Sequence, residues 1–380
     1  MLAQRINKKR LIDTFIKLIK INSPSFGERE LGDMLAVMLK KAGCTVELQE
    51  YGRSFNLIAR KKGNSSGIPP LLLSAHMDTI EPTTGLEFTI DDDSIRTTGP
   101  TILGADDKSA LAQIIEATTV LGESDIPHGD IEIIFTSVEE KGLLGARHLD
   151  FTTIRSRHAL VLDSSGGVGN LVIAAPTHIT YEMHITGKSA HAGIEPEKGI
   201  SAIRVAAQII SEIPDGRIDA ETTANVGTII GGTATNVVPK EVVIHGELRG
   251  HSPAVIEATK GAIYAAAHRI TVRNKALIHI TEQEEYKAFR IESDDPFLCF
   301  LDGVYTTCGI TPAHVTTGGG SDANVFNHRG IKAINLSNGM QKVHSTEEFI
   351  HISDLYNGCL IVVNALAQFR KISAYEAAGR

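Results

Sequence analysis

The chain has 380 residues, of which 42% are apolar and 22% are charged, and its formal net charge at pH 7 is −8. This composition is typical of a globular protein with one large domain or two moderate ones, and it excludes a disordered tail, a collagen-like fibre and a disulfide-stabilised miniprotein. The negative charge favours neither nucleic acid nor an anionic membrane surface, so we expect neither as a partner.

Helices and strands alternate in the first part of the chain. Apolar residues at helical spacing predict one helix from Leu11 to Ile19 and a second around residues 31–39, which Ser25 and Glu28 would open as a capping box. The other elements predicted here are strands over 45–48, 56–60, 71–75, 131–136 and 159–162 and a helix over 109–121. Strands that alternate with helices predict an α/β sheet.

The pattern changes near residue 176. Apolar and polar residues alternate over 179–186, which is typical of a half-buried antiparallel strand. The elements predicted next are a helix over 200–213, strands over 226–230 and 242–248, a helix over 253–269 and a strand over 276–281. This order is the split βαβ, or ferredoxin-like, arrangement.

We place this inserted domain at residues 177–290. The α/β pattern resumes after it, with a helix over 297–307, a strand over 333–336 and a helix over 354–369. Residues 1–176 and 291–380 therefore form one discontinuous domain in this interpretation.

Cysteine usage and the amino-terminal residues predict a cytoplasmic location. The spacing of Cys44, Cys299, Cys308 and Cys359 matches neither a disulfide framework nor a zinc knuckle. The first twenty residues are rich in Lys and Arg and contain no apolar run typical of a signal peptide. Since no stretch reaches the roughly 18 apolar residues of a membrane helix, we expect a cytoplasmic protein with reduced thiols.

Acidic and imidazole side chains follow the apolar strands or precede a helix, and in chain order they are His76, Asp78, Asp106, Glu139, Glu140 and Asp163. Ligands of open α/β sheets bind at the carboxyl ends of the strands, so we expect these side chains to share one site. Crowded carboxylates resist shared ionisation, and a set this acidic requires cations. Two divalent ions would neutralise it, and a carboxylate and imidazole ligand set favours Zn²⁺, Mn²⁺ or Co²⁺.

A second histidine is needed for such a site, and it must come from the later part of the chain. The candidates are His314, His328, His344 and His351. We favour His344, which lies in a loop after a predicted strand, although spacing alone leaves the choice open. Glu139 and Glu140 would point apart in extended chain, so we expect one to bind a metal ion and the other to handle a water proton.

These residues resemble the motifs of a known family. His76-Met77-Asp78-Thr79, Gly104-Ala105-Asp106-Asp107-Lys108, Glu139-Glu140, Asp163 and His344-Ser345 occur here in the order of the co-catalytic di-zinc exopeptidase and deacylase family. This family includes peptidase T, carnosinase-type dipeptidases, acetylornithine deacetylase and succinyl-diaminopimelate desuccinylase. The stretches 103–108 and 343–348 look most like the peptidase T branch, and the resemblance covers almost the whole chain.

The resemblance implies an α/β fold, with a mixed-sheet zinc-peptidase catalytic domain and an inserted ferredoxin-like lid. His76, Asp106 and Asp163 would bind one metal ion, and Asp106, Glu140 and His344 would bind the other, with the carboxylate of Asp106 as the bridge. The same resemblance makes Glu139 the general base and Asp78 the partner that orients His76.

The lid of this family commonly mediates dimerisation, so the resemblance also implies a homodimer. His191 would reach a carbonyl of the substrate, and Asn236 and Arg249 would contact substrate oxygens and its terminal carboxylate. Gly319 and Gly320 lie in a glycine run that allows a ligand to approach the backbone closely, so we assign them to substrate binding.

The expected activity is metal-dependent hydrolysis of short peptides, similar to a tripeptide aminopeptidase, with a metal-activated water and Glu139 as its base. The segment between Asp78 and Asp106 looks shorter than in peptidase T, which leaves the length of the substrate open. One alternative is an N-acyl-amino-acid deacylase with the same two metals. A non-catalytic binding protein that retains the fold is a weaker alternative, because every ligand position is filled.

Overall fold

The computed structural model describes residues 2–378 and divides them into two compact units. The first unit comprises the described residues up to Ile173, the segment Arg290–Thr316 and the described residues from Ser321 onward. The second unit comprises Ala174–Phe289 and the short segment Thr317–Gly320. All of the predicted metal ligands belong to the first unit.

The strands, numbered in chain order, are β1 (Thr45–Tyr51), β2 (Ser54–Lys61), β3 (Leu71–His76), β4 (Phe88–Ile90), β5 (Ser94–Thr97), β6 (Ile131–Thr136), β7 (His158–Ser164), β8 (Asn170–Ala175), β9 (Thr177–Thr186), β10 (Gly216–Arg217), β11 (Thr222–Gly231), β12 (Glu241–Gly250), β13 (Leu277–Tyr286), β14 (Phe289–Arg290), β15 (Ala313–Thr316), β16 (Lys332–Ser337), β17 (Met340–Gln341) and β18 (Phe349–His351). The α-helices are α1 (Lys8–Ile19), α2 (Arg29–Lys41), α3 (Ala105–Gly122), α4 (Leu144–Arg147), α5 (Ala202–Glu212), α6 (Pro253–Arg273), α7 (Pro296–Thr307), α8 (Asp322–His328), α9 (Ile352–Gln368) and α10 (Ile372–Ala378). Short 3-10 helices occupy Leu2–Arg5, Glu139–Lys141, Phe151–Thr153, Pro196–Lys198 and Phe369–Lys371.

The large sheet of the first unit is mixed, as predicted. Its strand order is β1-β2-β6-β3-β7-β16-β8-β14, and β15 also pairs with β8. Strand β3 runs parallel to β6 and β7, and β16 runs parallel to β7, whereas β1–β2 and β2–β6 are antiparallel. Every residue of β3 and β6 is buried, which explains why most of their residues are apolar, although β6 also buries Glu132.

Helix α3 lies in the core of the first unit, packed against β3, β7, α1 and α9. Almost all of its residues are buried, so it lacks the polar stripe of a surface helix. Its first turns present Asp106 and Asp107 near the strand ends, and backbone of helical conformation begins only after Asp107. The packing of α3 in the core therefore fixes the positions of Asp106 and Asp107.

The second unit has the predicted split βαβ arrangement. Its sheet is antiparallel, with the order β10-β11-β12-β9-β13, and α5 and α6 pack against it. On β9 the alternation is as predicted: Ile179, Tyr181, Met183 and Ile185 are buried in the core of this unit. The inserted ferredoxin-like domain is confirmed.

The predicted capping box at the start of α2 is wrong. Helix α2 begins at Arg29 with Glu28 at the N-cap position. The Glu28 carboxylate instead accepts hydrogen bonds from the main-chain N–H groups of Phe26 and Val138 at 2.9 and 3.0 Å. The Ser25 hydroxyl donates to Asp78 at 2.7 Å. Ser25 and Glu28 thus form hydrogen bonds with residues that follow β3 and β6 instead of capping the helix. Local sequence spacing could not reveal these distant partners.

Two further observations concern the thiols and the helices of the described residues. Cys44, Cys299, Cys308 and Cys359 are all free, and Cys44 and Cys359 are buried. Within residues 2–378, no helix combines the length and the apolar character needed to cross a bilayer.

Candidate metal centre

Three strand ends and one helix start bring the predicted ligands together. Strand β3 ends at His76, Glu139 and Glu140 follow β6, and Asp163 lies near the end of β7. Because β3, β6 and β7 are parallel, their carboxyl ends lie at the same edge of the sheet. Asp106 reaches this edge from the start of α3.

Asp106 lies between the two histidines of the cluster. Its Oδ1 atom is 3.0 Å from Nε2 of His76, and its Oδ2 atom is 3.3 Å from Nε2 of His344. Nε2 of His344 also lies 3.0 Å from Oε1 of Glu140, and Nε2 of His76 lies 3.7 Å from Oδ1 of Asp163. One carboxylate with an imidazole at each oxygen is the arrangement that a ligand shared by two cations would adopt.

Distances between ligand atoms single out the same cluster. Three groups of side chains offer ligand atoms that all lie within 4.8 Å of one another: His76, Asp106 and Glu140; His76, Glu139 and Asp163; and Asp106, Asp107 and Asp163. These are the only such groups among residues 2–378. The cluster therefore has the spacing that metal ligands require before any ion is considered.

Of the four candidate histidines, His344 is the one that reaches the cluster. His314 pairs with Asp302, and His351 pairs with Asp93. His328 lies exposed at the end of α8. His344 itself has a φ of 62°, in the left-handed region, which non-glycine residues adopt rarely and at a cost.

Asp78 lies behind His76 and is completely buried. The Nδ1–H of His76 donates to the main-chain oxygen of Asp78 at 2.8 Å, and Nδ1 is 3.7 Å from Oδ1 of the Asp78 carboxylate. This hydrogen bond keeps the proton on Nδ1 and leaves the lone pair of Nε2 free for a metal ion.

Several titratable groups of the cluster have raised pKa values. Burial, together with the nearby charge of Asp163, raises the pKa of Glu139 well above its ordinary value. Burial also raises the pKa of Asp163 to about 7. Hydrogen bonds to Asp106 and Glu140 raise the pKa of His344 to about 10. Raised pKa values are expected where buried carboxylates crowd together, and positive charge from bound cations would favour their ionised forms.

The donor set fits a pair of divalent metal ions. It consists of carboxylate oxygens and imidazole nitrogens, which suit Zn²⁺, Mn²⁺ and Co²⁺. The side chains of Asp106 and Glu140 are each only 10% exposed. Burying several carboxylates costs several kcal/mol per ion unless positive charge compensates them. The residues present therefore match the two ions that the sequence predicted.

Two supporting carboxylates were not predicted as functional residues. Asp107 accepts from the main-chain N–H of His76 at 3.3 Å. Glu348 accepts from the N–H groups of Gly104 and Asp106 at 2.7 and 3.0 Å. Both lie within the motifs at 104–108 and 343–348 that contain the predicted ligands Asp106 and His344, so closeness in sequence was the available signal.

His191 and Asn236 lie in the second unit, on adjoining loops. The N–H of Ala192 donates to the main-chain oxygen of Asn236 at 3.0 Å, and His191 forms an isolated β-bridge with Val237. The side chains of His191 and Asn236 are both exposed, and Nδ1 of His191 accepts from the N–H of Gly193 at 3.2 Å. The loops thus bring the main chains around His191 and Asn236 together, and each residue has an exposed polar side chain.

Arg249 also lies in the second unit, where its guanidinium already has partners. Nε and Nη2 each donate to Glu247 at 3.2 Å, and Nη1 lies 3.4 Å from the hydroxyl of Tyr286. A Cβ atom on Gly320 would come within 2.3 Å of the Tyr286 ring, so only glycine fits there. Gly319 donates its N–H to the Thr317 hydroxyl at 3.2 Å.

Comparisons with known proteins find similarity along nearly the whole chain. The family described as "Peptidase dimerisation domain" matches residues 173–275, and "Peptidase family M28" matches residues 56–190. Aminopeptidase PepT from Bacillus cereus ATCC 10987 is 37% identical in sequence, and its crystal structure superposes with a TM-score of 0.87 over 96% of this chain and 99% of that chain.

Two further proteins extend this similarity. A tripeptidase from Staphylococcus aureus is 32% identical, with a TM-score of 0.91 over 96% of this chain and 99% of that chain. The uncharacterized protein YqjE from Bacillus subtilis is 38% identical over 372 residues, which are 96% of this chain and 100% of that protein.

Proposed function

The chain belongs to the peptidase T-like group of the exopeptidase and deacylase family that its motifs resemble, and we propose that it is a metal-dependent exopeptidase that hydrolyses short peptides. The named aminopeptidase and tripeptidase are at least 32% identical to it over nearly their full length, which supports the same reaction here. The observation that carries the proposal is the position of Asp106 between His76 and His344.

Two divalent metal ions are the cofactors in this proposal, with Zn²⁺ preferred and Mn²⁺ or Co²⁺ as alternatives. His76 and Asp163 would hold one ion, Glu140 and His344 would hold the other, and Asp106 would contact both. When bound, the ions would lower the pKa of a water molecule and polarise the scissile carbonyl. The two oxygens of Asp106, which face different histidines, support this division of ligands.

Glu139 is the general base in this proposal. It is buried and lies in one group of ligand atoms with His76 and Asp163. Its buried carboxylate beside the ligands would accept a proton from the attacking water and pass that proton to the leaving amine. Glu140, the adjacent residue, contacts His344 instead, so the two glutamates serve different purposes.

We assign residues 177–290 to a lid and dimerisation domain, and residues 1–176 and 291–380 to the catalytic domain. The match of residues 173–275 to the Peptidase dimerisation domain supports a homodimer formed through the lid. The four free cysteines support a reducing, cytoplasmic location.

Substrate contacts are assigned to exposed or partnered side chains of the second unit. His191 and Asn236 would donate to substrate oxygens, where developing negative charge is stabilised by such donors. Arg249 would bind a terminal carboxylate with its guanidinium, and Gly319 and Gly320 would let the ligand approach the backbone closely. Glu247 holds the guanidinium in a fixed orientation for this purpose.

A metal-supplemented activity screen tests the proposed function. The protein is stripped with a chelator, reloaded with Zn²⁺, Mn²⁺ or Co²⁺, and offered tripeptides, dipeptides, the same peptides with acetylated amino ends, and N-acetyl and N-succinyl amino acids. We expect release of the first residue from peptides with a free amino end, loss of activity on chelation and recovery on reloading. A clear preference for the N-acyl amino acids would overturn the peptidase proposal in favour of a deacylase.

A further inference from the structure

The side chain of Asn335 holds the main chain of a predicted metal ligand. Strand β16 pairs in parallel with β7, and the register of the pair shifts between Asn335 and Ser337. At this shift the Oδ1 atom of Asn335 accepts from the N–H of Asp163 at 2.8 Å, and its Nδ2 atom donates to the C=O of Asp163 at 2.7 Å. One buried carboxamide thus replaces the ladder hydrogen bonds that the irregularity removes.

A second asparagine acts on the neighbouring residues. Nδ2 of Asn338 donates to the main-chain oxygen of Leu162 and to Oδ1 of Asp107, both at 2.7 Å. The other oxygen of Asp107 accepts from the N–H of His76. The end of β7 is therefore tied both to β16 and to the segments that carry His76 and Asp107.

Asp163 requires such a hold because its surroundings repel its charge. Its carboxylate offers an oxygen within 4.8 Å of ligand atoms of Asp106 and Asp107, and like charges at that distance repel each other. The two hydrogen bonds from Asn335 fix the main chain from which this carboxylate projects. The neutral carboxamide of Asn335 fixes the main chain without adding charge to the site.

We propose that Asn335 is a positioning residue that sets the affinity of the metal position built on Asp163. This inference rests on the two-metal function proposed above. Both hydrogen bonds of the Asn335 side chain go to Asp163, which would ligate one ion only. Loss of the carboxamide therefore weakens the binding of that ion. The binding of the ion held by Glu140 and His344 is unchanged.

Asn327 on α8 provides a matched control. Its Oδ1 atom accepts from the N–H of Ala333 at 3.2 Å, and its Nδ2 atom donates to the C=O of the same residue at 2.8 Å. This is the same two-way bond from a carboxamide to one residue's main chain, at the other end of β16. Asn327 variants lose comparable hydrogen bonds without touching a predicted ligand.

The test titrates metal-free protein with Co²⁺ and follows it by calorimetry and by visible absorption. Wild type is compared with Asn335→Leu, Asn335→Ala, Asn327→Leu and Asn327→Ala, and the Leu variants, which are close in shape to asparagine and add no charge, guard against a failure to fold. We expect the affinity for one of the two Co²⁺ equivalents to fall roughly 10- to 100-fold in the Asn335 variants. The other equivalent, and both equivalents in the Asn327 variants, should keep wild-type affinity.

Two results would overturn the inference: wild-type affinity for both equivalents in the Asn335 variants, or equal weakening of both equivalents. In each case the wild-type protein still binds two ions, so the proposed function survives. A wild-type protein that binds no metal would remove the proposed function, and the inference with it.

Discussion

The carboxylate of Asp78 holds the turn that carries Glu139. Oδ1 of Asp78 accepts from the main-chain N–H of Glu139 at 2.9 Å, and Oδ2 accepts from the N–H of Glu140 at 3.2 Å. These distances are shorter than the 3.7 Å from Oδ1 to Nδ1 of His76. Asp78, to which the resemblance gives the role of orienting His76, therefore also fixes the main chain of Glu139 and Glu140.

Replacement of Asp78 by Asn should impair both metal binding and turnover. The amide nitrogen of Asn would face a main-chain N–H, so one donor of the turn would lose its partner. We expect metal affinity or kcat/KM to fall by roughly 10- to 100-fold. Elemental analysis after dialysis and steady-state kinetics measure these effects.

Ser25→Ala is the matched control for Asp78→Asn. It removes only the hydroxyl that donates to Oδ2 of Asp78 and leaves both main-chain hydrogen bonds intact. We expect a loss of about 1 kcal/mol or less in stability or activation free energy. An effect of Ser25→Ala as large as that of Asp78→Asn would contradict the role given to the turn.

Glu139→Gln and Glu140→Gln should have different phenotypes although the residues are adjacent. Glutamine cannot accept the proton of a water, so Glu139→Gln should keep two metal ions and lose roughly 10²- to 10⁴-fold in kcat. Glu140 contacts His344, so Glu140→Gln should lower the metal content. A metal-loaded Glu139→Gln variant with wild-type turnover would remove Glu139 from its role.

His344→Ala should reduce the bound metal from two equivalents to one. The imidazole contacts Asp106 and Glu140, and no other candidate histidine among the described residues reaches them. His314→Ala, which breaks only the pair with Asp302, should retain both equivalents. Elemental analysis decides the matter, and unchanged metal content in His344→Ala would contradict the assignment.

The parts of the fold that were predicted are those with a strong local pattern. Strands β3 and β6 are buried along their whole length, so most of their residues are apolar and the sequence predicts both strands. The small sheet β17-β18-β5-β4 was not predicted, because its strands have two to four residues and no repeating pattern. Short strands acquire their conformation from pairing, which sequence periodicity does not reveal.

The same limit applies to the site. The side chains at the strand ends were found because parallel strands place their carboxyl ends together. His344 lies 204 residues from Glu140 along the chain, so spacing could not select it from four candidates. Asn335 was missed because its role arises from a register shift between β16 and β7, which exists only in the folded chain.

The metal-free protein should become less stable as the pH rises from about 4 to about 7. Burial raises the pKa of Asp163 to about 7 in the folded state, above its ordinary value of about 4. Between these values the folded state binds more protons than the unfolded state, so the free energy of unfolding falls with increasing pH. The buried carboxyl of Glu348, whose pKa burial raises to about 7, acts in the same direction.

Asp163→Asn tests this contribution together with its effect on neighbours such as Glu139, because titrating groups outside the cluster, such as His158, are common to both proteins. The variant removes one titrating proton, so its unfolding free energy should fall less steeply, by up to about 1.4 kcal/mol per pH unit. Urea unfolding at several pH values, after treatment with a chelator, measures the difference. Saturating Zn²⁺ should reverse the trend in wild type, since metal binding requires deprotonated ligands and strengthens as the pH rises. Equal slopes for the metal-free wild type and Asp163→Asn would show that the Asp163 carboxyl does not hold a proton in the folded protein.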